Sequence, residues 1–279
     1  DVKMLEVNAD AKWINDLSHD KPDFVFIALH GKYGEDGKVQ AVLEMLGLKY
    51  NGSGVTASAV GFDKVKTYQV THGFGLAAPK FLSVRGIPAE IGELEKVIAQ
   101  HIGFPCIIKP SESGSSVGVT ILEDGKNLRQ ALEASFKEDS VAIVQQFVKG
   151  RELTCGIMGN TGQTQLIALP LVEIIPAKGK FFDYEEKYKT SGNEICPAKV
   201  PDEISAKVQE MARVAHEALG CRGLTRSDFI WDETAGQIYF LEINTLPGQT
   251  KQSLCPKEAA AIGMSFEDFL EKQIQLGMM

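Results

Sequence analysis

Two short apolar runs near the end of the chain, separated by a turn-forming segment, predict a β-hairpin. Asp228 belongs to the first run, and Glu242 and Asn244 lie two residues apart at the end of the second. Residues 232–236 are rich in turn formers, which is typical of the connection between two antiparallel strands. A hairpin that folds symmetrically about Ala235 would place Asp228 opposite Glu242. The alternation of side chains along a strand would then put Asn244 on the same face.

The three oxygen-bearing side chains of this hairpin predict a Mg²⁺ site. Single carboxylates at strand ends are usually only solvated, but Mg²⁺ takes one or two carboxylates and completes its octahedron with water and phosphate oxygens. Arg226 precedes Asp228 by two residues and shares its strand face. It either pairs with Asp228 or stabilises negative charge that develops during a reaction. The hairpin therefore indicates an enzyme that consumes ATP.

Composition limits the partners and the compartment. The chain has 279 residues and a net charge of −8, which allows two or three compact units and argues against nucleic acid or an anionic membrane as the main partner. Its five cysteines contain no CxxC pair and lie mostly in apolar runs, which predicts reduced, packed thiols in a cytoplasmic protein. No apolar run is long enough to cross a bilayer, so we expect no membrane association.

The first part of the chain, residues 1–63, is predicted to be an N-terminal α/β domain. Residues 23–29 form a continuous apolar run, which is typical of a strand buried on both faces of a parallel sheet. A glycine-rich loop and an amphipathic helix with Gly47 as its C-cap follow. No complete strand precedes residue 23, so we expect this domain to be truncated at its N-terminus.

Two further domains are predicted, a small central α+β unit over residues 64–146 and a C-terminal domain over residues 147–279. Residues 151–157 alternate polar and apolar side chains, which predicts a half-buried antiparallel strand. Residues 177–197 form a long loop that carries aromatic and charged side chains; loops of this length are usually functional lids or disordered. The other predicted elements are helices near 64–72, 128–136 and 203–219 and strands near 104–109, 117–121 and 141–144.

A serine- and glycine-rich loop, residues 109–118, is a candidate phosphate-binding segment. It joins two predicted strands, so it is not a P-loop, which would open a helix. Its backbone N–H groups and hydroxyls, including that of Ser116, suit phosphate oxygens, and Lys109 would supply positive charge. An ordinary flexible turn is the alternative.

The segment 145–152 connects the central unit to the C-terminal domain and is a candidate adenine site. Gln145, Phe147 and Val148 offer backbone groups and apolar surface on which an adenine ring could lie. Glu152 could accept hydrogen bonds from ribose hydroxyls; the alternative is a surface carboxylate on an alternating strand. Over this site, the aromatic and basic residues 182–188 would form a lid that excludes water and protects a reactive acyl phosphate, although by composition alone they suit any surface loop.

Eight segments carry a resemblance that covers almost the whole chain. They are HGKYGEDG at 30–37, GSG at 52–54, DK at 63–64, KPSESGSSVG at 109–118, DYEEKY at 183–188, RSD at 226–228, EINTLPG at 242–248 and SL at 253–254. Together they resemble the D-alanine–D-alanine ligase family of the ATP-grasp superfamily. The resemblance implies α/β and α+β architecture, namely an ATP-grasp fold with a partial Rossmann-like N-terminal domain.

The resemblance also implies a reaction. The carboxylate of one D-alanine attacks the γ-phosphate of ATP to form an acyl phosphate, and the amine of a second D-alanine displaces phosphate to give D-alanyl-D-alanine for peptidoglycan synthesis. ATP and two Mg²⁺ ions, which Mn²⁺ can replace, would be bound. A cytoplasmic homodimer that acts on small molecules is expected.

The family's site residues carry over to matching positions of this chain. Asp228, Glu242 and Asn244 would hold the metal ions, and Lys64, Lys109 and Lys187 would contact phosphates. Arg226 and the backbone N–H of Gly248 would stabilise the tetrahedral intermediate. The second D-alanine would meet Ser253 and Leu254, the first would lie near His30, and Ser115 and Tyr188 would link the lid to the first substrate.

Three features depart from the family pattern. The glycine loop and glutamate that hold the first D-alanine would precede Asp1. The acidic residue of the loop, Glu112, is separated from the loop glycine by Ser113, and Phe182 stands where some relatives have tyrosine. Tyr188 favours a dipeptide product, because the relatives in resistance clusters that make D-alanyl-D-lactate lack it. Two alternatives stay open: a ligase that uses D-lactate or D-serine as acceptor, and an ATP-binding fragment that is inactive without the N-terminal anchor.

Overall fold

The computed structural model of the protein describes residues 1–8, 10–112, 117–175 and 194–279. These residues form a mixed arrangement of helices and antiparallel sheets, which confirms the predicted combination of α/β and α+β structure. The helices are α1 Lys12–Asp20, α2 Lys38–Met45, α3 Val55–Phe62, α4 Lys64–Gly73, α5 Ile91–His101, α6 Leu128–Phe136, α7 Asp202–Ala218, α8 Leu254–Ala261 and α9 Phe266–Met278. The strands are β1 Phe81–Val84, β2 Cys106–Pro110, β3 Thr120–Leu122, β4 Ala142–Gln146, β5 Arg151–Met158, β6 Ile167–Ala168, β7 Val172–Ile174, β8 Glu194–Ile195, β9 Leu224–Asp232 and β10 Gln237–Asn244.

The predicted parallel strand at residues 23–29 is only partly confirmed. A single parallel bridge joins Val25 to Tyr50. Beyond it, the side-chain amide of Asn51 takes the place of a backbone ladder: its Oδ1 accepts from the N–H of Ile27 at 2.6 Å, and its Nδ2 donates to the carbonyl of Ile27 at 3.3 Å. The apolar run is therefore extended and partly buried but is not a regular strand.

Helix α2 follows the prediction, whereas α3 is an element that the sequence pattern did not reveal. Gly47 ends α2 with a φ of 70°, as expected of a C-cap glycine. Helix α3 consists largely of small residues and lacks an amphipathic pattern. A Cβ on its Gly61 would lie 2.8 Å from Cγ2 of Thr245, so the helix lies close to the segment that follows β10.

The central unit contains a four-stranded antiparallel sheet of order β1-β4-β2-β3. Helices α5 and α6 bury Ile98 and Leu132 against its apolar face, which includes Ile108 and Val144. The predicted helix at 128–136 is confirmed without change. Strand β3 begins at residue 120, later than predicted, because Val117 and Gly118 form a turn in which Gly118 adopts a φ of 73°.

The second sheet has six strands in the order β10-β9-β5-β7-β8, with β6 paired to β5. The predicted half-exposure of β5 is wrong, since seven of its eight residues are buried. Helix α7 covers the face of Leu153 and Cys155, and α8 covers the opposite face at Gly156 and Met158. The alternation of polar and apolar residues misleads here because a helix distant in sequence covers the second face.

Most of the predicted lid loop lies outside the described residues. Its last part contains β8, which pairs with β7 through Ile195 and Glu173, so the end of the loop belongs to the sheet. Among the residues that the structure describes, no helix is both long enough and apolar enough to cross a membrane.

Candidate active site

The β9–β10 hairpin brings Asp228 and Glu242 together as predicted, but not by simple symmetry. Near the turn, Phe240 pairs with Phe229; further along, Glu242 pairs with Asp228. The register shifts by one residue between Phe240 and Glu242, which leaves Leu241 as a bulge in β10. The facing of the two carboxylates therefore depends on this bulge, which the sequence pattern did not reveal.

Asp228 is bound by Arg226 through both arms of the guanidinium. Nε lies 2.9 Å from Oδ1 and Nη2 lies 2.8 Å from Oδ2, and Asp228 is only 5 % exposed. Burial opposes the charged guanidinium, but the charge of Asp228 outweighs it and raises the pKa of Arg226. The pairing expected as one alternative is therefore present, and the positive charge of Arg226 persists at the site.

Glu242 and Asn244 complete the oxygen-bearing side chains of the hairpin. Oε2 of Glu242 lies 3.3 Å from Nζ of Lys64. Oδ1 of Asn244 accepts a hydrogen bond of 2.9 Å from the N–H of Leu246, and Asn244 pairs with Arg226 in the ladder. Two carboxylates and one amide oxygen at one end of a hairpin are a donor set that suits Mg²⁺ shared with phosphate. In the described part of the chain, no group of three or more His, Cys, Asp or Glu side chains could hold a metal ion.

The start of α4 positions Lys64. Asp63 caps the helix, and its Oδ1 accepts from the N–H groups of Val65 and Lys66 at 2.9 and 3.1 Å. The hydroxyl of Ser111 donates to the same oxygen at 2.5 Å, and the carbonyl of Ser111 accepts from the N–H of Lys64 at 3.2 Å. The helix cap is thus joined by hydrogen bonds to Ser111, which directly follows the strand that carries Lys109.

The serine- and glycine-rich loop is only partly described. Lys109 lies on β2, where it pairs with Ile143 and is partly buried. Ser115 and Ser116 lie outside the described residues, as do Lys187 and Tyr188 of the predicted lid. Their roles stay predictions from the sequence.

The predicted adenine segment joins the two sheets directly. Gln145 is buried in β4, and its Nε2 donates to the hydroxyl of Tyr68 at 2.9 Å. Phe147 and Val148 are partly exposed in the short connection to β5. Glu152 is 9 % exposed, so it is not the surface carboxylate considered as the alternative. The segment therefore offers both a partly exposed apolar connection and a nearly buried carboxylate.

His30, Gly248 and Ser253 lie close to one another. A Cβ on Gly248 would lie 2.8 Å from Oγ of Ser253 and 4.0 Å from Cε1 of His30. Ser253 is the N-cap of α8, and Leu254 is the first residue of that helix. Helix N-termini favour anions, so the predicted substrate residues converge where a carboxylate could bind. Glu35 is 3.7 Å from Nδ1 of His30, and its hydrogen bond raises the pKa of that imidazole.

Two buried residues behind the site were missed by the sequence reasoning. Tyr68 of α4 is 2 % exposed and donates a hydrogen bond of 2.6 Å to the carbonyl of Leu241. Glu258 of α8 is fully buried and accepts a hydrogen bond of 2.9 Å from the N–H of Gly156. No local pattern marks either residue, because each partner lies more than a hundred positions away.

Comparison with known proteins identifies related chains over nearly the full length. The family profile described as "D-ala D-ala ligase C-terminus" matches residues 70–275, and "D-ala D-ala ligase N-terminus" matches residues 3–53. A D-alanine–D-alanine ligase of Syntrophobacter fumaroxidans is 41% identical, with 93% of this chain and 81% of that protein covered. One of Pelotomaculum thermopropionicum is 38% identical, with 98% and 85% covered.

Two solved ligase structures also resemble this chain. The VanG D-Ala:D-Ser ligase of Enterococcus faecalis superposes with a TM-score of 0.81 at 35% identity, covering 91% of this chain and 72% of that one. The D-alanine–D-alanine ligase of Coxiella burnetii superposes with a TM-score of 0.78 at 27% identity, covering 92% and 68%.

Proposed function

The chain belongs to the D-alanine–D-alanine ligase family and has its ATP-grasp fold, and we propose that it joins two D-alanines into D-alanyl-D-alanine while ATP is converted to ADP and phosphate. The observation that carries this proposal is the charged end of the β9–β10 hairpin. There Asp228 and Glu242 face each other, with Arg226 and Lys64 beside them. Alternating anionic and cationic side chains of this kind suit a reaction in which negative phosphates and an oxyanion must be stabilised.

The metal site of the proposed enzyme is formed by Asp228, Glu242 and Asn244. Their oxygens would hold Mg²⁺, or Mn²⁺ in its place, and the ions would neutralise the negative charge of the ATP phosphates. Lys64, whose Nζ lies 3.3 Å from Glu242, would contact phosphate from the other side. Lys109, and by its sequence position Lys187, would add further positive charge.

The two amino-acid substrates would meet near the N-terminus of α8. The carboxylate of the first D-alanine attacks the γ-phosphate, and the acyl phosphate that forms is attacked by the amine of the second. Arg226 and the N–H of Gly248 would stabilise the oxyanion of the tetrahedral intermediate. Ser253 and Leu254 would hold the carboxylate of the second substrate, where the helix dipole favours negative charge.

The nucleotide would occupy the segment between the sheets. Phe147 and Val148 are partly exposed there and would contact the adenine ring. Gln145 would support it from β4, and Glu152 would accept hydrogen bonds from the ribose. We assign Ser115, Ser116 and Tyr188 to the loops that close over the phosphates and the first substrate, on the strength of the sequence resemblance.

A D-serine acceptor is the second candidate. It is favoured by the likeness to the D-Ala:D-Ser ligase, which has the TM-score of 0.81. D-alanine is preferred as acceptor because the relatives of 41% and 38% identity are D-alanine–D-alanine ligases. The presence of Tyr188 supports an amine nucleophile over the hydroxyl of D-lactate.

The proposal is tested by incubating the purified protein with ATP, Mg²⁺ and D-alanine, D-serine or D-lactate. ADP release is followed continuously, and the products are identified by mass spectrometry. We expect D-alanyl-D-alanine as the main product when all three acceptors compete at equal concentration. A preference for D-serine or D-lactate near neutral pH would reject the acceptor assignment, and ADP release without any condensed product would reject the ligase.

The setting of the proposed reaction follows from the family. We propose that the protein acts in the cytoplasm as a homodimer and supplies a peptidoglycan precursor. The division at residues 63 and 146 into three domains is supported by separate buried clusters around Leu43 and Ile108. Sedimentation analysis tests the dimer, and limited proteolysis tests the division.

A further inference from the structure

The bulge in β10 decides which side chain faces Asp228. Phe240 pairs with Phe229 and Glu242 pairs with Asp228, so Leu241 is the extra residue. A regular ladder continued from Phe240 would place Leu241 opposite Asp228 instead. A bulge redirects the side chains that follow it and leaves its own backbone groups outside the ladder. The carboxylate pair of the proposed metal site therefore exists only while this bulge is held.

Tyr68 supplies a hydrogen bond to the bulge from outside the sheet. Its hydroxyl donates to the carbonyl of Leu241 at 2.6 Å and accepts from Nε2 of Gln145 at 2.9 Å. A carbonyl that leaves the ladder needs another hydrogen-bond partner, so this bond favours the bulged register. Burial raises the pKa of Tyr68, and the hydroxyl therefore keeps the proton that it donates.

The same face of α4 also contacts the residues on either side of the bulge. Lys64 and Tyr68 are four positions apart, so they lie on one side of the helix. Nζ of Lys64 is 3.3 Å from Oε2 of Glu242. The ring of Tyr68 lies 6.3 Å from that of Phe240. Helix α4 thus contacts three successive residues of β10, and the hydroxyl of Tyr68 binds the backbone carbonyl of the middle one, Leu241.

We propose that Tyr68 is a positioning residue, which holds the Leu241 bulge so that Glu242 faces Asp228 and links this pair to Gln145 of the nucleotide segment. The inference rests on the proposed function, because it concerns the same metal site. Tyr68 is 2 % exposed and is not one of the residues proposed to bind metal or substrate. It acts through the backbone of Leu241, and its bond to Gln145 joins the two sheets between which the nucleotide would lie.

The substitution Tyr68→Phe tests this role because it keeps the ring and removes only the hydroxyl. Tyr50→Phe is the matched control, since Tyr50 is 1% exposed and its hydroxyl donates to Oε1 of Glu44 at 2.6 Å, away from the hairpin. Two quantities are measured for each variant. They are the affinity for Mn²⁺ in the presence of a non-hydrolysable ATP analogue, by electron paramagnetic resonance, and the hydrogen exchange of the β10 backbone, by mass spectrometry.

We expect Tyr68→Phe to exchange β10 amides faster and to bind Mn²⁺ about tenfold more weakly, the factor that corresponds to ~1.4 kcal/mol. Tyr50→Phe should keep the wild-type affinity for Mn²⁺, even if it lowers the melting temperature as much as Tyr68→Phe does. Wild-type Mn²⁺ affinity in Tyr68→Phe overturns the proposal. If the wild-type protein itself binds no Mn²⁺ with the ATP analogue, the proposed function is refuted instead. The hydrogen-exchange measurement then tests Tyr68 separately, because unchanged exchange of the β10 amides in Tyr68→Phe would refute its positioning role.

Discussion

Glu258 accepts a hydrogen bond of 2.9 Å from the backbone N–H of Gly156, and this contact fixes α8 against the central strand of the larger sheet. Gly156 pairs with Arg226 in the β5–β9 ladder. The N-terminus of α8, which carries Ser253 and Leu254, is therefore tied to the strand position beside Arg226. The carboxyl group of Glu258, which belongs to neither site, therefore helps to set the distance between the proposed substrate site and the proposed oxyanion site.

The close approach of α8 to β5 requires glycine at position 156. A Cβ there would lie 2.5 Å from Oε2 of Glu258 and 2.9 Å from Cδ1 of Leu169. We expect Gly156→Ala to lower the free energy of unfolding by about 1–3 kcal/mol, as overpacking of a core does, and to raise the KM for the acceptor D-alanine. Urea denaturation and initial-rate kinetics measure the two effects.

Gly92→Ala is the control for that substitution. Gly92 lies in α5, and a Cβ there would meet nothing within 4 Å. Alanine should stabilise this helix by up to ~1 kcal/mol and leave the kinetics unchanged. Equal stability of the Gly156→Ala and Gly92→Ala proteins would contradict the close packing described for α8.

The buried carboxyl of Glu258 makes stability fall as the pH rises. Burial raises its pKa to about 8, so between pH 4.5 and 8 the folded protein holds a proton that the unfolded chain releases. As the pH rises from 5 to 8, the free energy of unfolding of Glu258→Gln should increase relative to that of the wild type by several kcal/mol. Each unit of pKa difference between the folded and unfolded states corresponds to ~1.4 kcal/mol. Urea denaturation at pH 5, 6.5 and 8 measures this, with Glu93→Gln on the exposed face of α5 as the control. Parallel pH curves for Glu258→Gln and the wild type would show that the carboxyl does not stay neutral.

The buried imidazole of His216 makes stability fall as the pH drops, which is the opposite of the effect of Glu258. Its side chain is fully buried, Nδ1 lies 2.8 Å from Oγ1 of Thr225, and burial lowers its pKa to about 4. In the unfolded chain the imidazole of His216 is protonated near pH 6.5, whereas in the folded protein it is protonated only near pH 4. The free energy of unfolding therefore falls as the pH drops through this range. The loss should reach about 3 kcal/mol, and His216→Gln should remove it. Thermal unfolding from pH 7 to pH 4 measures this loss of stability. The control His101→Gln, changed at an exposed site, should lose as much stability in acid as the wild type. The same loss of stability in His216→Gln would refute the assignment.

Residue patterns close in sequence predicted much of this site. The two-residue spacing of Glu242 and Asn244 and the short turn before them predicted the hairpin, because strand alternation and turn chemistry are local properties. The Leu241 bulge could not be predicted, since it is stabilised by Tyr68, whose position depends on how α4 packs against β10. The burial of β5 was likewise hidden, because the partner of Gly156 is Glu258, 102 positions away.

Helix α3 was missed for a different physical reason. Its small residues, among them Gly61, give neither an apolar stripe nor a strong helix propensity. Small side chains are needed there because the helix comes within contact distance of Thr245. Tertiary packing thus stabilises a helix that the local sequence would not indicate.

Loss of one metal ligand should stop the proposed reaction while the fold persists. Glu242 is partly exposed and faces Asp228, so Glu242→Gln keeps the shape of the side chain but removes the charge that would bind Mg²⁺. We expect kcat to fall at least ~10²-fold, as it does when one strong electrostatic contact to a reacting centre is lost. The rate of ADP release is measured across a Mg²⁺ titration, and the melting temperature checks the fold. Glu93→Gln, whose Glu93 pairs with Lys96 on an exposed helix, should keep full activity. A Glu242→Gln protein that approaches the wild-type rate at any Mg²⁺ concentration would place the metal elsewhere.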